Sequence, residues 1–551
     1  MPQPDGRRLA ADVLLGIVVP LGLAHLPPLV ERVPSLGLLR GPAGLVLAGV
    51  GAAVLLARLL AGRWSGWATR LATKPLLLFA SAAVLYAAVG LHYAAGVQVS
   101  GDEPHYLVMA QSLWRDHDLD LRDEYDGEEW GEFVPGPLRP HWGAPRADGR
   151  PYPAHSPGLP LLLAPTYALG GRPGAVVLMA LIAAAAAAVC QRLALRATGD
   201  ASASVAAWLA AAGAPLFFYS FHLYTEAPSA LAASGSLAIL LGTPAWPAAV
   251  VAALSAAALP WLHVKMIPAA LALGVVAVAR LRGRPLAAFL IVAGAAALGF
   301  ALYYRAIFGL ASPLALYGGV PADARTLTWR SLGGLLLDRS YGLLPIAPVF
   351  LLALAGVPAL LRAREAWPHL LLGLAVLAPL VSWRMWWGGQ CPPARFLVPL
   401  LPLLAVALAR RRAETGAGLA RWFSGLVAAG AVLAGVAVAD PAARILLNRG
   451  NRPTRLWAAL SDGTAIGDYL PSLTHASARE ARLAVVWAVV VCLLLVLDQV
   501  ARTRPRIDRA FSSFAVAVAV LLLVGVLIDG VVGAPTAQAP APVVDDSANP
   551  G

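Results

Sequence analysis

The chain has 551 residues, of which 59% are hydrophobic and only 13% charged, with a mean hydropathy of +0.70. Soluble domains carry about 25% charged residues, so a water-soluble globule is excluded for want of polar groups to cover its surface. Disorder is excluded by the apolar excess, which leaves a polytopic membrane protein. The net charge of +12 is almost all arginine, and Lys74 and Lys265 are the only lysines. These charges sit mainly in short loops between apolar runs, where they orient a chain in a bilayer, and they imply no nucleic-acid partner. Heavy use of Ala, Gly, Pro and Arg is the composition a GC-rich bacterial genome gives. It points to a bacterial plasma (inner) membrane.

A membrane-crossing helix needs about 20 mostly apolar residues. Runs of that kind fall near 9–26, 41–60, 75–97, 173–195, 203–220, 225–242, 246–260, 266–281, 286–305, 342–361, 366–383, 396–409, 422–439, 484–501 and 510–533. They predict an all-α fold of about 13–15 transmembrane helices. The first run lacks a small-residue cleavage site before Pro27-Pro28, so it reads as a span rather than a signal peptide. The Arg-rich loops at 63–74, 192–196, 280–284, 362–364, 410–421 and 502–509 then all fall on one side, the cytoplasmic one. That alternation holds only if the Pro- and Gly-broken stretch 156–171 lies along the interface without crossing. The outer face receives the long segments 98–172, 306–341, 384–395 and 441–483, where irregular polar sequence, and so function, is expected. The tail 534–551, rich in Pro and Ala, is expected to be disordered. Cys190, Cys391 and Cys492 have no metal or redox spacing and read as small buried hydrophobes.

The first outer segment opens with Ser100-Gly101-Asp102-Glu103-Pro104-His105-Tyr106. A carboxylate just past a span can act as a base toward a hydroxyl; the structural alternative is a helix N-cap. The acidic run that follows contains Asp116-His117-Asp118-Leu119-Asp120. It lacks the Gly and the distal Glu of a calcium loop and reads as a solvated acidic segment. His155-Ser156-Pro157 starts the interfacial stretch, where a histidine can meet a phosphate. The outer hairpin from Phe217 to Pro228 carries Tyr224 and Glu226 at the membrane edge. There a carboxylate is either functional or a first-turn cap. Pro260-Trp261-Leu262-His263-Val264-Lys265 places the outer side's one lysine beside a histidine. The turn Trp383 to Phe396 presents Arg395 where a guanidinium can clamp a phosphate. Carboxylates that could activate a hydroxyl and cations that could hold a phosphate thus share one face. That combination suits group transfer from a lipid phosphate.

In these residues the chain resembles the GT-C superfamily of integral-membrane glycosyltransferases, which includes protein O-mannosyltransferases and the aminoarabinose transferase of lipid A. The match lies in an acidic pair directly after a core helix (Gly101 to Tyr106) and an interfacial helix opened by His155-Ser156-Pro157. It continues in an aromatic, polar and acidic hairpin end (Tyr219 to Glu226) and a later outer lysine, Lys265. It covers roughly residues 75–410, the expected catalytic core. Two N-terminal helices (1–74) and a C-terminal part (411–533) flank that core. The Arg-x-x-Asp usual in the hairpin is here Tyr224-Thr225-Glu226, and no large soluble C-terminal domain follows.

The resemblance implies inverting transfer of one sugar from a polyprenyl-phosphate donor to a lipid, glycan or protein acceptor on the extracytoplasmic side. Asp102 would be the base, with Glu103 and Glu226 orienting donor or acceptor. His155, Lys265 and Arg395 would hold the phosphate, and His105, Tyr106, Tyr224 and His263 would contact substrate. Relatives differ in their use of a divalent metal; with no clear third carboxylate, no metal is expected here. The alternative is a lipid-linked sugar flippase or transporter, disfavoured because the spans are almost free of charge. A structural subunit of an envelope complex would leave the outer Asp, Glu, Lys and Arg set unexplained.

Overall fold

The computed structural model describes residues 6–318, 329–383, 385–414, 418–449, 454–474, 477–511 and 513–533. The tail expected to be disordered lies outside the described residues. Each of the fifteen apolar runs is helical. Among the described residues the only β structure is three isolated bridges. Among the described residues six helices are long and apolar enough by themselves to cross a membrane, including Pro42–Leu59, Pro75–Gly96, Ala478–Ala501 and Phe514–Val531. Their outward faces are apolar: Leu76, Val84, Ile291 and Leu298 are all more than 60% exposed. Water would not tolerate such faces on so many helices, and lipid does, so the chain is a polytopic α-helical membrane protein.

The helices that position the outer groups are, in chain order, α1 (Pro75–Gly96), α2 (Glu103–Arg115), α3 (Arg122–Asp126), α4 (Gly158–Thr198), α5 (Glu226–Leu240), α6 (Trp246–Leu262), α7 (Ile267–Arg280) and α8 (Leu401–Ala413). Helix α4 is the central post, packed by α1, α2, α5 and α8. The middle of its buried face is rich in alanine, with Ala180, Ala183, Ala184, Ala186 and Ala187, so neighbouring backbones approach closely there. Gly170 and Gly171 leave helical geometry, Gly171 with φ +56°, and split α4 in two. The first piece, preceding the break, is the stretch expected along the interface.

Helix direction separates two ends of the molecule. Helix α5 starts at Glu226 and ends where Arg280 donates to the carbonyls of Leu240 and Leu241. The segment through α8 runs from Arg395 to Arg410–Arg412. The outer candidates therefore gather at helix N-termini, and the Arg-rich loops at the opposite ends, in keeping with the helix dipole. At the Arg-rich end Arg411 and Asp498, both with fully buried side chains, pair at 2.7 Å and join α8 to the Ala478–Ala501 helix. The first and last described helices also meet: Asp12 accepts the Ser513 hydroxyl at 2.5 Å and the Phe514 N–H at 2.7 Å. Cys190 and Cys391 are buried as expected. Cys492 is exposed instead, because it lies on the outward face of a surface helix.

Candidate active site

The site begins where α1 ends. Between α1 and α2 the backbone turns through Gly101 at φ +62°. A β-carbon there would stand 2.3 Å from the Gln390 carbonyl oxygen and 2.5 Å from the Tyr224 hydroxyl. Glycine lets the first outer segment nest against the turn before Arg395 and against the hairpin before α5. The Tyr224 hydroxyl ties the three together by donating to the carbonyls of Gln390 (2.8 Å) and Ser100 (3.3 Å).

Four charged side chains from four distant segments converge there. Asp102 occupies the N-cap position of α2 yet makes no capping hydrogen bond. Its Oδ2 instead accepts from Arg395 Nη2 at 2.7 Å. Arg395 Nε donates to Glu226 Oε1 at 3.1 Å, and Lys265 Nζ reaches the same oxygen at 2.8 Å. The third arm of Arg395, Nη1, donates to the Gly388 carbonyl at 2.8 Å. Its guanidinium lies 4.2 Å above the Tyr224 ring, and Lys265 Nζ lies 3.7 Å above the Phe396 ring. Two cations and two carboxylates thus form a closed, charge-balanced chain. Glu226 has no solvent-exposed side chain, Arg395 is 5% exposed and Lys265 13%. Asp102, at 25%, is the most open of the four. Burial opposes ionisation of Asp102, but the charge and hydrogen bond of Arg395 outweigh it. The carboxyl is held below the usual carboxylate range.

Three histidines line the Asp102 side. A short antiparallel pairing, with the Ala154 N–H on the His141 carbonyl and the Gly143 N–H on the Tyr152 carbonyl, sets His141 and His155 side by side. His141 Nδ1 and His155 Nε2 are 3.2 Å apart. The His105 ring lies 5.0 Å from His141 and 5.8 Å from His155, and its Nδ1 meets the Tyr125 hydroxyl at 2.8 Å. Burial, reinforced by the neighbouring imidazoles, lowers His105 to about 3; burial also lowers His155, to about 4. Both are neutral at pH 7. One ligand atom each from Asp102, His141 and His155 lies within 4.8 Å of the others. A carboxylate and two imidazoles are donors a zinc-like divalent ion accepts, with positions left open, so the residues fit such an ion.

The structure brings together Asp102, Glu226, Lys265, Arg395, His155, His105 and Tyr106, the last with its ring 4.7 Å from His155. It places three candidates in supporting positions. Glu103 turns away from this cluster: its oxygens accept the backbone N–H groups of Ser100 (3.2 Å) and Leu223 (2.9 Å), bracing the first segment on the hairpin. Tyr224 is fully buried beneath Arg395 and positions it. His263 Nδ1 accepts the Lys265 N–H at 3.2 Å and caps the turn that carries the lysine. The first-turn cap considered for Glu226 is superseded by its two cation partners. The sequence reading missed His141, which stands among Pro140 and Trp142 in an irregular segment, and Phe396, which reads as one more apolar residue of a span. The concentration of histidine in the segment 98–172, with His105, His117, His141 and His155, is the signal that could have found His141.

No protein-family model matches the chain, and no curated protein matches it. Among solved structures, ArnT from Cupriavidus metallidurans bound to undecaprenyl phosphate is similar at 16% identity and a TM-score of 0.43. That match covers 85% of this chain and 78% of the other. The apo state of the same protein is similar at 16% identity and a TM-score of 0.44, over 84% and 78%. Superposition at that level is too loose to transfer an activity or the role of any residue.

Proposed function

We propose that this protein is a GT-C-type glycosyltransferase of a bacterial plasma membrane. It would move one sugar from a polyprenyl-phosphate donor to a cell-envelope acceptor on the extracytoplasmic face. One observation above all supports this reading: Arg395 bridges Asp102 and Glu226 while Lys265 shares the Glu226 oxygen. A binding surface or structural contact has no need to bury two cations against two carboxylates with the most open carboxylate at the rim.

The cluster suggests an order of events. A donor phosphodiester carries one negative charge and arrives among cations already held in place. It competes with Asp102 for Arg395 and with Glu226 for Lys265. As Arg395 turns to the phosphate, Asp102 loses the partner that keeps it a weak base, and its basicity rises when a hydroxyl must be deprotonated. The acceptor oxygen attacks the anomeric carbon from the face opposite the phosphate. The carbon–oxygen bond to phosphate breaks with its electron pair on the leaving group, and the hydroxyl proton passes to Asp102. The configuration inverts. Polyprenyl phosphate leaves with up to two negative charges, which Arg395 and Lys265 stabilise as they develop. Glu226 holds both cations in register throughout. A divalent ion on Asp102, His141 and His155 would add Lewis-acid stabilisation of a phosphate oxygen.

The test is the lipid-linked sugar pool of a deletion strain. The donor should accumulate, identify the sugar, and be discharged when the wild-type chain is restored but not Asp102→Asn. General-base catalysis contributes about 10²–10⁴-fold, so the Asn variant should transfer at less than about 1% of the wild-type rate. Asn activity within about threefold of wild type, at equal protein, removes Asp102 as base. An unchanged pool in the deletion strain removes the glycosyltransferase reading.

A further inference from the structure

The acidic run after α2 folds in a way its sequence does not announce. Asp116, which caps the C-terminus of α2, meets Asp123 and Glu124 of α3, with one oxygen of each within 4.8 Å of the others. Asp118 and Asp120, which complete the Asp-x-Asp-x-Asp pattern in the sequence, are not part of this group. Asp116 and Asp123 are exposed, whereas Glu124 is 1% exposed and neither of its carboxylate oxygens has a hydrogen-bond partner. The nearest donor, the Ser112 hydroxyl, is within reach of Glu124 but is directed to the Asp118 carbonyl at 3.1 Å. The arginines nearest in sequence are engaged elsewhere: Arg115 on Glu129 (2.6 Å) and Glu132 (2.5 Å), Arg122 on Asp120 (2.6 Å). Burying a carboxylate without a donor or counter-charge is costly, and each such group requires an explanation.

We propose that Asp116, Asp123 and Glu124 form a calcium-binding site that fastens α3 to the end of α2. Oxygen-only ligands, three carboxylates and room for water on the two exposed members are what a hard cation such as calcium takes. The carbonyl end of α2 favours positive charge at the same point. The ion's structural reach extends to the candidate active site. Tyr125, the residue after Glu124, holds His105, whose ring stacks on His155. The proposal stands on this geometry independently of the glycosyltransferase reading.

Terbium, a luminescent calcium substitute, tests it on the full chain in detergent, with excitation through the adjacent Tyr125. Wild-type protein should give a saturable signal that calcium displaces with a Kd of about 10⁻⁴–10⁻³ M, typical of extracellular sites. Glu124→Gln and Asp116→Asn should each weaken displacement at least tenfold. Calcium should raise the Tm of wild type above its value in EDTA and leave Glu124→Gln unmoved. Glu124→Gln replaces a buried unpaired acid by a neutral amide of the same shape, so it should fold, with a Tm in EDTA no lower than wild type. A terbium signal that calcium does not displace, or equal displacement in wild type and Glu124→Gln, overturns the proposal.

Discussion

Replacing Arg395 by Met tests the logic of the charge cluster most directly. The side chain donates to Asp102 at 2.7 Å, to Glu226 at 3.1 Å and to the Gly388 carbonyl at 2.8 Å. Without it two carboxylates face a single cation, Lys265. Removing one partner of a buried ion pair costs about 3–5 kcal/mol, because the other charge stays buried. At an effective dielectric of about 20, opposite charges about 4 Å apart attract by about 4 kcal/mol. At 1.36 kcal/mol per pH unit, that would raise the Asp102 carboxyl by up to about 3 pH units. The sign follows. In wild type the Asp102 value lies below the usual range, so its stabilisation is fully present from pH 5 to 7. In Arg395→Met that rise returns the carboxyl only to the ordinary carboxylate range, so the stabilisation is missing at pH 5 and pH 7 alike, and the two proteins converge only as the pH falls through that range. The difference in Tm between the two proteins should be present throughout pH 5 to 7 and narrow only below pH 5, where carboxylates titrate. Binding of undecaprenyl phosphate should weaken by about 10–100-fold, the equivalent of one charge-assisted hydrogen bond of about 1.5–3 kcal/mol. Differential scanning fluorimetry and native mass spectrometry of the purified proteins give both quantities. No Tm deficit between pH 5 and 7, or unaltered lipid binding, would refute the reasoning.

Lys265→Met, similar in length but uncharged, should raise the donor KM and lower kcat. Lys265→Arg should recover only part, since a planar fork does not replace a point charge sharing one Glu226 oxygen; kinetics of Met equal to wild type would remove Lys265 from the site. His155, lowered to about 4 from an ordinary 6.5, gains protons in the unfolded chain first. Stability should therefore drop as the pH falls from about 6.5 toward 4, and His155→Gln should flatten that part of the Tm profile. At the opposite end, Arg411→Met should cost up to about 3–5 kcal/mol, since buried Asp498 keeps only Arg502 at 3.5 Å as a counter-charge, while leaving the KM of the surviving folded protein unchanged. A Tm within a degree of wild type would show that pair to be dispensable.

Sequence alone settled what depends on composition and local pattern. Apolar runs of sufficient length had to become helices, because lipid leaves backbone groups no other partner. Pro and Gly around 156–171 had to interrupt a span, and the chain breaks at Gly170 and Gly171. The residue types at one end of those helices already marked the candidate site: Glu226, Lys265 and Arg395 were legible as singular charges, and Asp102 as one of an acidic pair. Which charge meets which was not legible, since Asp102 and Arg395 are 293 positions apart and only the packing of α1, α4, α5 and α8 brings them to 2.7 Å. For the same reason the sequence could not distinguish Asp102 from its neighbour. Two adjacent carboxylates look alike in a string, but helix geometry turns Glu103 onto the N–H groups of Ser100 and Leu223 and leaves Asp102 facing the cations. His141 and the buried, unpartnered Glu124 were hidden by the same limit. Burial and hydrogen-bond partnership are properties of contacts between distant segments, and local pattern carries no record of them.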